Sequence, residues 1–255
     1  MPKTLPEDRY RAPALDKGLD ILELLSHQPK GMTRGEIVKA MDRSPSEIYR
    51  MIERLVMREY LFRSIEGDRY ALTMKLFLLG SQYPPQRRMV TQAQPLMDQF
   101  ADDTHQSIHL AAPDRGSVVV VAQASPRASW EFRLRIGAKL DLVGTGSGRT
   151  FLAFQSNEKR IELLSYVREP SEIGADTIID VDVEIKKIHE IGHRIGRSKQ
   201  LLGVTDISAP ILAPDGTAIA VLTCPYIERV DGNTGASTEA ALSHLQLLAG
   251  QLSIS

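Results

Sequence analysis

Apolar residues recur with a helical period through the N-terminal part of the chain. Leu15, Leu19, Ile21, Leu22, Leu24 and Leu25 form a stripe that predicts a helix over 14–26. His27-Gln28-Pro29-Lys30-Gly31 ends it. A second helix is predicted over 34–41, with Ile37, Val38 and Met41 inward, and Asp42-Arg43 forms a turn. A third is predicted over 45–59, where Ile48, Met51, Ile52, Leu55 and Val56 fall at i, i+3, i+4, i+7 and i+8 on one face. Residues 60–65 and 69–72 then read as two strands around Glu66-Gly67-Asp68, a hairpin turn.

Helix-start chemistry sharpens this pattern. Thr33-Arg34-Gly35-Glu36 and Ser44-Pro45-Ser46-Glu47 each match a capping box: the hydroxyl caps a helix, and the glutamate three residues on reaches back to the cap amide. Pro45 falls at the first helical position, where its missing N–H costs nothing. Two short helices started this closely pack at a steep angle, which is the helix-turn-helix plan. With the charged hairpin behind it, the segment is expected to be a winged helix whose third helix enters the major groove of double-stranded DNA.

Residues 73–82 are again helical and apolar, and Tyr83-Pro84-Pro85-Gln86 interrupts them. A domain junction is expected there, followed by a helix over about 90–104. Beyond it, strands and helices alternate. Strands are expected at 108–112 and 118–123 around Asp114-Arg115-Gly116, at 129–134, at 139–143, and at 207–213 and 218–224 around Pro214-Asp215-Gly216. A helix is expected after Gly144-Thr145-Gly146-Ser147-Gly148, running through Phe151 to Phe154, with others at 158–166, 182–191 and 238–252. Hairpins covered by helices make an α+β sensor-like domain. The organisation read from the sequence is an arm over 1–12, a winged helix-turn-helix over 13–72, a connecting helix and hinge over 73–86, and a ligand-sensing and oligomerisation domain over 87–255.

Composition changes this picture little. Apolar content of 42% and charged content of 25% are ordinary for a globular protein, and the net charge of −1 advertises no nucleic acid. Residues 1–84 carry 14 basic against 12 acidic side chains, and the remainder 17 against 20. The asymmetry has the right sign for DNA but is small; phosphate contact needs local placement of Arg and Lys rather than a basic total. One cysteine, Cys224, excludes an internal disulfide and CxxC zinc spacing. The six histidines show no metal-ligand spacing. No apolar run approaches membrane-spanning length and no signal-like leader is read, so a cytoplasmic protein without membrane partner, metal or cofactor is expected.

Element order and several motifs resemble the IclR family of bacterial transcription regulators over about 13–253. They include Ala14-Leu15-Asp16-Lys17-Gly18-Leu19-Asp20-Ile21-Leu22-Glu23-Leu24-Leu25, the capped third helix with Tyr49-Arg50, and the wing Asp68-Arg69-Tyr70-Ala71-Leu72. Further on come Arg135-Ile136-Gly137, Gly144-Thr145-Gly146-Ser147-Gly148-Arg149, and Gly203-Val204-Thr205-Asp206-Ile207-Ser208-Ala209-Pro210. Order and spacing together carry the resemblance. It implies an N-terminal winged helix, a connecting helix, a GAF-like C-terminal domain that binds a small-molecule effector, and homodimers that often pair into dimers of dimers on a pseudo-palindromic operator.

The candidate DNA-binding residues are Thr33, Arg34, Arg43, Ser44, Ser46, Tyr49, Arg50, Arg63 and Arg69. Arginine reaches guanine edges or phosphate, and hydroxyls and helix-start amides favour phosphate. Each arginine of helix two and the wing reads equally as an ordinary surface residue. Glu47 is assigned to the cap, and Glu53 to restraining Arg50 or Arg54.

The glycine-rich loop has neither the GxGxxG ending nor the GK[ST] of a P-loop, and it contains no GxSxG. Its backbone amides suit a carboxylate. The resemblance assigns effector binding to Gly146, Ser147 and Gly148. In the family pattern the segment before Gly203 is usually acidic, a cysteine usually stands at the position of Asp206, and the late strand commonly has two serines. This chain has Gly196-Arg197-Ser198-Lys199-Gln200, Asp206, and Thr223-Cys224-Pro225. Asp206, Thr223 and Trp130 complete the candidate effector site; Trp130 reads either as pocket wall or as core. The function expected is a ligand-responsive regulator of a catabolic operon, its effector a small organic acid, aromatic acids included. The alternative is an enzyme with a catalytic C-terminal domain and the winged helix as a docking module. That alternative needs a nucleophile–base pair or a metal constellation, and the sequence shows neither.

Overall fold

The computed structural model describes residues 12–64, 68–82, 84–128, 131–167, 175–228 and 235–254. Trp130, the arm over 1–11 and the hairpin tip at 65–67 lie outside them. The chain divides into two units, 1–84 and 85–255.

The first unit contains α1 (Pro13–Ser26), β1 (Met32–Thr33), α2 (Arg34–Met41), α3 (Pro45–Met57), β2 (Leu61–Arg63), β3 (Arg69–Leu72) and α4 (Lys75–Gln82). Ile21 and Leu25 of α1, Ile37 of α2, and Ile48 and Ile52 of α3 meet Leu61 and Tyr70 in one buried cluster. Asp42 turns the chain between α2 and α3 in the left-handed conformation (φ 49°). The hairpin strands pair antiparallel, Leu61 opposite Leu72. A third, unexpected strand joins them: β1 pairs with β3, Met32 opposite Tyr70. Two residues give no periodic signal, which is why β1 escapes a pattern reading. Gly31 makes this approach possible. Its φ is +64°, and a Cβ there would lie 2.6 Å from the Tyr70 carbonyl oxygen.

Two local expectations need correction. The box at Thr33 forms, the Thr33 hydroxyl accepting from the Glu36 amide and the Thr33 amide donating to Glu36. The box at Ser44 does not: its side chain makes no cap hydrogen bond, and Glu47 pairs instead with Lys17 of α1 at 2.9 Å. A tertiary cation took the glutamate that the local motif would have used.

The second unit contains α5 (Pro84–Thr104), β4 (Ile108–Asp114), β5 (Ser117–Ala124), β6 (Lys139–Asp141), α6 (Gly146–Ala153), α7 (Asn157–Ser165), α8 (Ala175–Ile191), β7 (Arg194–Arg197), β8 (Val204–Leu212), β9 (Ala218–Ile227) and α9 (Thr238–Leu252). The prolines expected to break the chain occupy the first turn of α5, where proline is tolerated. Residues 131–134 of the expected strand at 129–134 are not in a strand, and β7 was not anticipated.

One antiparallel sheet runs in the order β6-β5-β4-β9-β8-β7. Helices α5 and α9 pack on one face through Ala93, Met97, Phe100, Leu245 and Leu248. Helices α6, α7 and α8 cover the other, with Phe151, Leu152, Leu163, Ile185 and Ile188 inward. Register shifts in the β4–β5 and β8–β9 pairs change which face the strands present. Val118 and Val120 face α6–α8, whereas Ala122 and Ala124, beyond the shift, face α5 and α9.

Candidate functional site

In the first unit, Arg43 and Ser44 precede α3 and are exposed, and α3 presents Ser46, Tyr49 and Arg50 on its exposed side, opposite Ile48 and Ile52. Among the described residues neither Arg43 nor Arg50 makes a salt bridge. The other candidate arginines are held by carboxylates. Arg34 donates to the Tyr70 hydroxyl at 2.7 Å, pairs with Glu53 and lies over the Tyr49 ring, 5.2 Å from its centroid. The Tyr70 contact raises its pKa further. Glu53 therefore restrains Arg34, not Arg50 or Arg54 as expected. Arg69 bonds both oxygens of Glu36, at 2.9 and 3.1 Å, and the Gly31 carbonyl at 2.9 Å. The Thr33 amide, with help from Arg69, holds the Glu36 carboxyl below its usual range. Arg63 pairs with Asp68. These are exposed, solvent-screened pairs of low net worth, so a phosphate can take the place of the carboxylate.

In the second unit, the glycine-rich loop is not a loop ahead of a helix. Gly146, Ser147 and Gly148 are the first turn of α6, capped by Thr145. The cap uses one of the three amides: Gly148 N donates to Thr145 Oγ1 at 3.0 Å. A Cβ at Gly148 would lie 2.4 Å from the Asp141 carbonyl oxygen, so that glycine serves close packing rather than a ligand. The Gly146 and Ser147 amides have no acceptor among the described residues.

Opposite this helix start, the sheet carries a row of polar residues. His109 of β4 pairs in register with Thr223 of β9, Thr223 with Ser208 of β8, and Ser208 with Arg194 of β7. All are buried and alternate with core residues such as Leu110, Leu222 and Ile207, so they face α6. Ser147 joins the row: its hydroxyl lies 3.2 Å from His109 Nε2 and 2.8 Å from Thr223 Oγ1, which in turn lies 2.9 Å from Ser208 Oγ. Burial pushes the His109 pKa down to about 4, so the imidazole is neutral. Burial likewise pushes the Cys224 thiol up, leaving it protonated and inert.

Next to the row lies a buried charge network. Arg149 of α6 and Arg194 share Glu184 of α8, Arg194 Nε reaching Glu184 Oε1 at 2.7 Å. Burial opposes the Glu184 charge, but the two arginines outweigh it and hold the carboxyl below its usual range. Gly196, without a side chain, lets the Arg194 guanidinium lie across it; a Cβ there would be 2.9 Å from an Arg194 nitrogen. Arg194 thereby approaches Gly146 and Asp206, which is opposite Gly196 in register.

A cleft with about 430 Å³ of empty space, its open mouth included, runs between the α6 start and the strands β8 and β9. Its wall includes His109, Gly146, Ser147, Asp206, Thr223 and Pro225, with Phe132 and Leu134 on the apolar side. Of the expected effector residues, Gly146, Ser147, Asp206 and Thr223 come together here, Gly148 does not, and Trp130 lies outside the described residues. His109, Ser208, Arg194 and Glu184 were missed. For the first two a signal existed: single polar residues at alternate positions of otherwise apolar strands, aligned only once the strands are paired.

A winged helix in one unit and a sensor-type sheet with a polar cleft in the other define a bacterial-type transcription regulator. Residues 14–63 match the IclR helix-turn-helix domain, and residues 82–253 match the bacterial transcriptional regulator IclR C-terminal domain. The chain belongs to the IclR family of transcriptional regulators. It binds DNA through its helix-turn-helix and is not an enzyme. An HTH-type transcriptional regulator of Haemophilus influenzae is 25% identical over 253 residues, covering 94% of this chain and 91% of that one. The regulator KdgR of Dickeya chrysanthemi is 26% identical over 214 residues, covering 82% and 69%. In fold, the chain matches an IclR homologue of Microbacterium hydrocarbonoxydans, solved as a complex with 4-hydroxybenzoate. The TM-score is 0.73 at 20% identity, over 94% of this chain and 97% of that one. No described helix is long and apolar enough to cross a membrane.

Proposed function

We propose that this regulator controls a catabolic operon in the cytoplasm and is switched by a small organic acid seated at the start of α6. The observation that carries this reading is the pair of unaccepted amides at Gly146 and Ser147 in the wall of a cleft. Helix-start amides favour an anion, and the hydroxyls of Ser147 and Thr223 can turn to donate or accept toward it. The 4-hydroxybenzoate complex of the Microbacterium homologue supports an acid as ligand. On DNA, a homodimer or dimer of dimers sets two copies of α3 in neighbouring major grooves of a pseudo-palindrome. Arg50, with Ser46 and Tyr49, reads base edges or phosphates there, and Arg34, Arg43, Arg63 and Arg69 exchange their carboxylates or water for phosphate. The connecting helix over 73–82 carries the effector's influence to the DNA-binding unit, and the coupling is reciprocal.

The test is fluorescence anisotropy of the full chain on the DNA upstream of its gene, with and without a panel of organic acids. An acid that acts as effector should change operator affinity by roughly 5- to 150-fold. Ser147→Val keeps the amide but removes the hydroxyl beside it, and should weaken that change. A panel that moves neither operator affinity nor the melting temperature would remove the effector reading.

A further inference from the structure

The cleft differs from a plain carboxylate trap in one respect. Among the described residues of its wall, Asp206 is the single charged side chain. It stands beside the same helix start that offers the amides: a Cβ at Gly146 would lie 3.0 Å from Asp206 Cβ and 3.2 Å from Asp206 Oδ2, with Arg194 Nη1 also at 3.0 Å. An acid held at Gly146 and Ser147 thus meets a second carboxylate within a few bond lengths. Two carboxylates sharing a site repel each other.

The network behind the cleft offsets this repulsion only in part: burial outweighs Arg194 at Asp206. Arg194 is the nearest cation, but its Nε is taken by Glu184, its NH1 leans on the Gly196 carbonyl at 3.4 Å, and it is not part of the cleft wall. Glu184 is shared in turn between Arg194 and Arg149. Among the described residues, Arg149 and Arg194 face the carboxylates of Glu184 and Asp206. A ligand carboxylate adds a negative charge next to Asp206 and competes with it for Arg194, unless the ligand brings its own partner for Asp206.

We infer that the effector is a hydroxy acid or an amino acid: a carboxylate for the Gly146 and Ser147 amides, and on a neighbouring carbon a hydrogen-bond donor for Asp206. This rests on the effector reading above and narrows its ligand class. The closeness of Asp206 to Gly146 puts the donor on the second or third carbon of the acid. Burial holds the Asp206 carboxyl above its usual range, against the opposing influence of Arg194 and Ser198. Specificity follows from the cost of leaving it without a donor, which a plain acid incurs and a substituted acid avoids.

The test uses the full-length protein and matched acids: propionate, lactate and alanine, then phenylacetate, mandelate and phenylglycine, titrated calorimetrically against wild type, Asp206→Asn and Asp206→Ala. In at least one set the hydroxy or amino member should bind wild type roughly tenfold or more tighter than its parent acid. Asp206→Ala should erase that preference and bind the parent acid better than wild type does. Asp206→Asn, isosteric and still an acceptor, should erase the advantage of an ammonium and keep that of a hydroxyl; it also serves should the alanine variant not fold. Parent acids that bind wild type as tightly as their substituted partners overturn the inference and leave the acid-effector reading standing. A preference that survives Asp206→Ala overturns it too. No binding by any acid overturns both.

Discussion

His109 carries the residue-scale chemistry of the second unit. It is fully enclosed between Ser147 and the sheet, and its pKa falls to about 4 from the ordinary histidine value of 6.5. Between those values the unfolded chain binds a proton that the folded chain does not, so stability rises with pH across that window. The neutral imidazole therefore gives full stability above about pH 6.5, and stability is lost as pH falls toward 4, by at most about 3 kcal/mol. Urea denaturation from pH 7 to pH 4 measures it. His109→Asn should flatten the wild-type decline over that range; an unchanged slope would mean that other groups cause it. No such dependence is expected of Cys224, whose raised pKa keeps the thiol protonated throughout.

At the scale of elements, capping decides which helix start is sensitive to substitution. Thr33 and Glu36 satisfy each other's amides at the start of α2, and Glu36 also holds Arg69 of β3. Ser44 starts α3 without a side-chain cap, and the Glu47 side chain bonds Lys17. Thr33→Ala should cost about 1 kcal/mol, within the 0.5–2 kcal/mol usual for lost N-caps. Ser44→Ala should cost clearly less. Chemical denaturation of the two variants compares them, and equal losses would contradict the asymmetry. Helix α6 shows the same logic at a binding site. Its cap takes the Gly148 amide, so ligand binding at that turn falls to Gly146 and Ser147.

For the whole molecule, the proposed homodimer accounts for apolar side chains left in water on the first unit. Leu15 and Leu19 of α1 are 60% and 47% exposed, and Met74 and Phe77 are each 64% exposed. Exposed apolar side chains that share one patch mark contact surfaces, and these four are the candidates for it. The full chain should sediment as a dimer or tetramer. Leu19→Glu with Phe77→Glu should shift it to smaller species and lower operator affinity to that of a single half-site. Unchanged sedimentation by the double variant would place the dimer contact elsewhere.

The amino-acid sequence by itself determined the helix-turn-helix, because period, caps and turn residues act between neighbours a few positions apart. Ile48 and Ile52 are buried where their spacing puts them, α2 spans 34–41 and α9 spans 238–252 as read. Family membership was legible for the same reason: its motifs are local and ordered along the chain. Strand partners, register and ion pairs were not legible, since they join residues far apart. His109, Ser147, Thr223 and Ser208 belong to four separate elements, and only paired strands bring them into one row. Lys17 claimed Glu47, and Arg34 claimed Glu53. The tertiary structure decided those competitions, because a charged or polar group with two candidate partners takes the one that packing brings within hydrogen-bond reach.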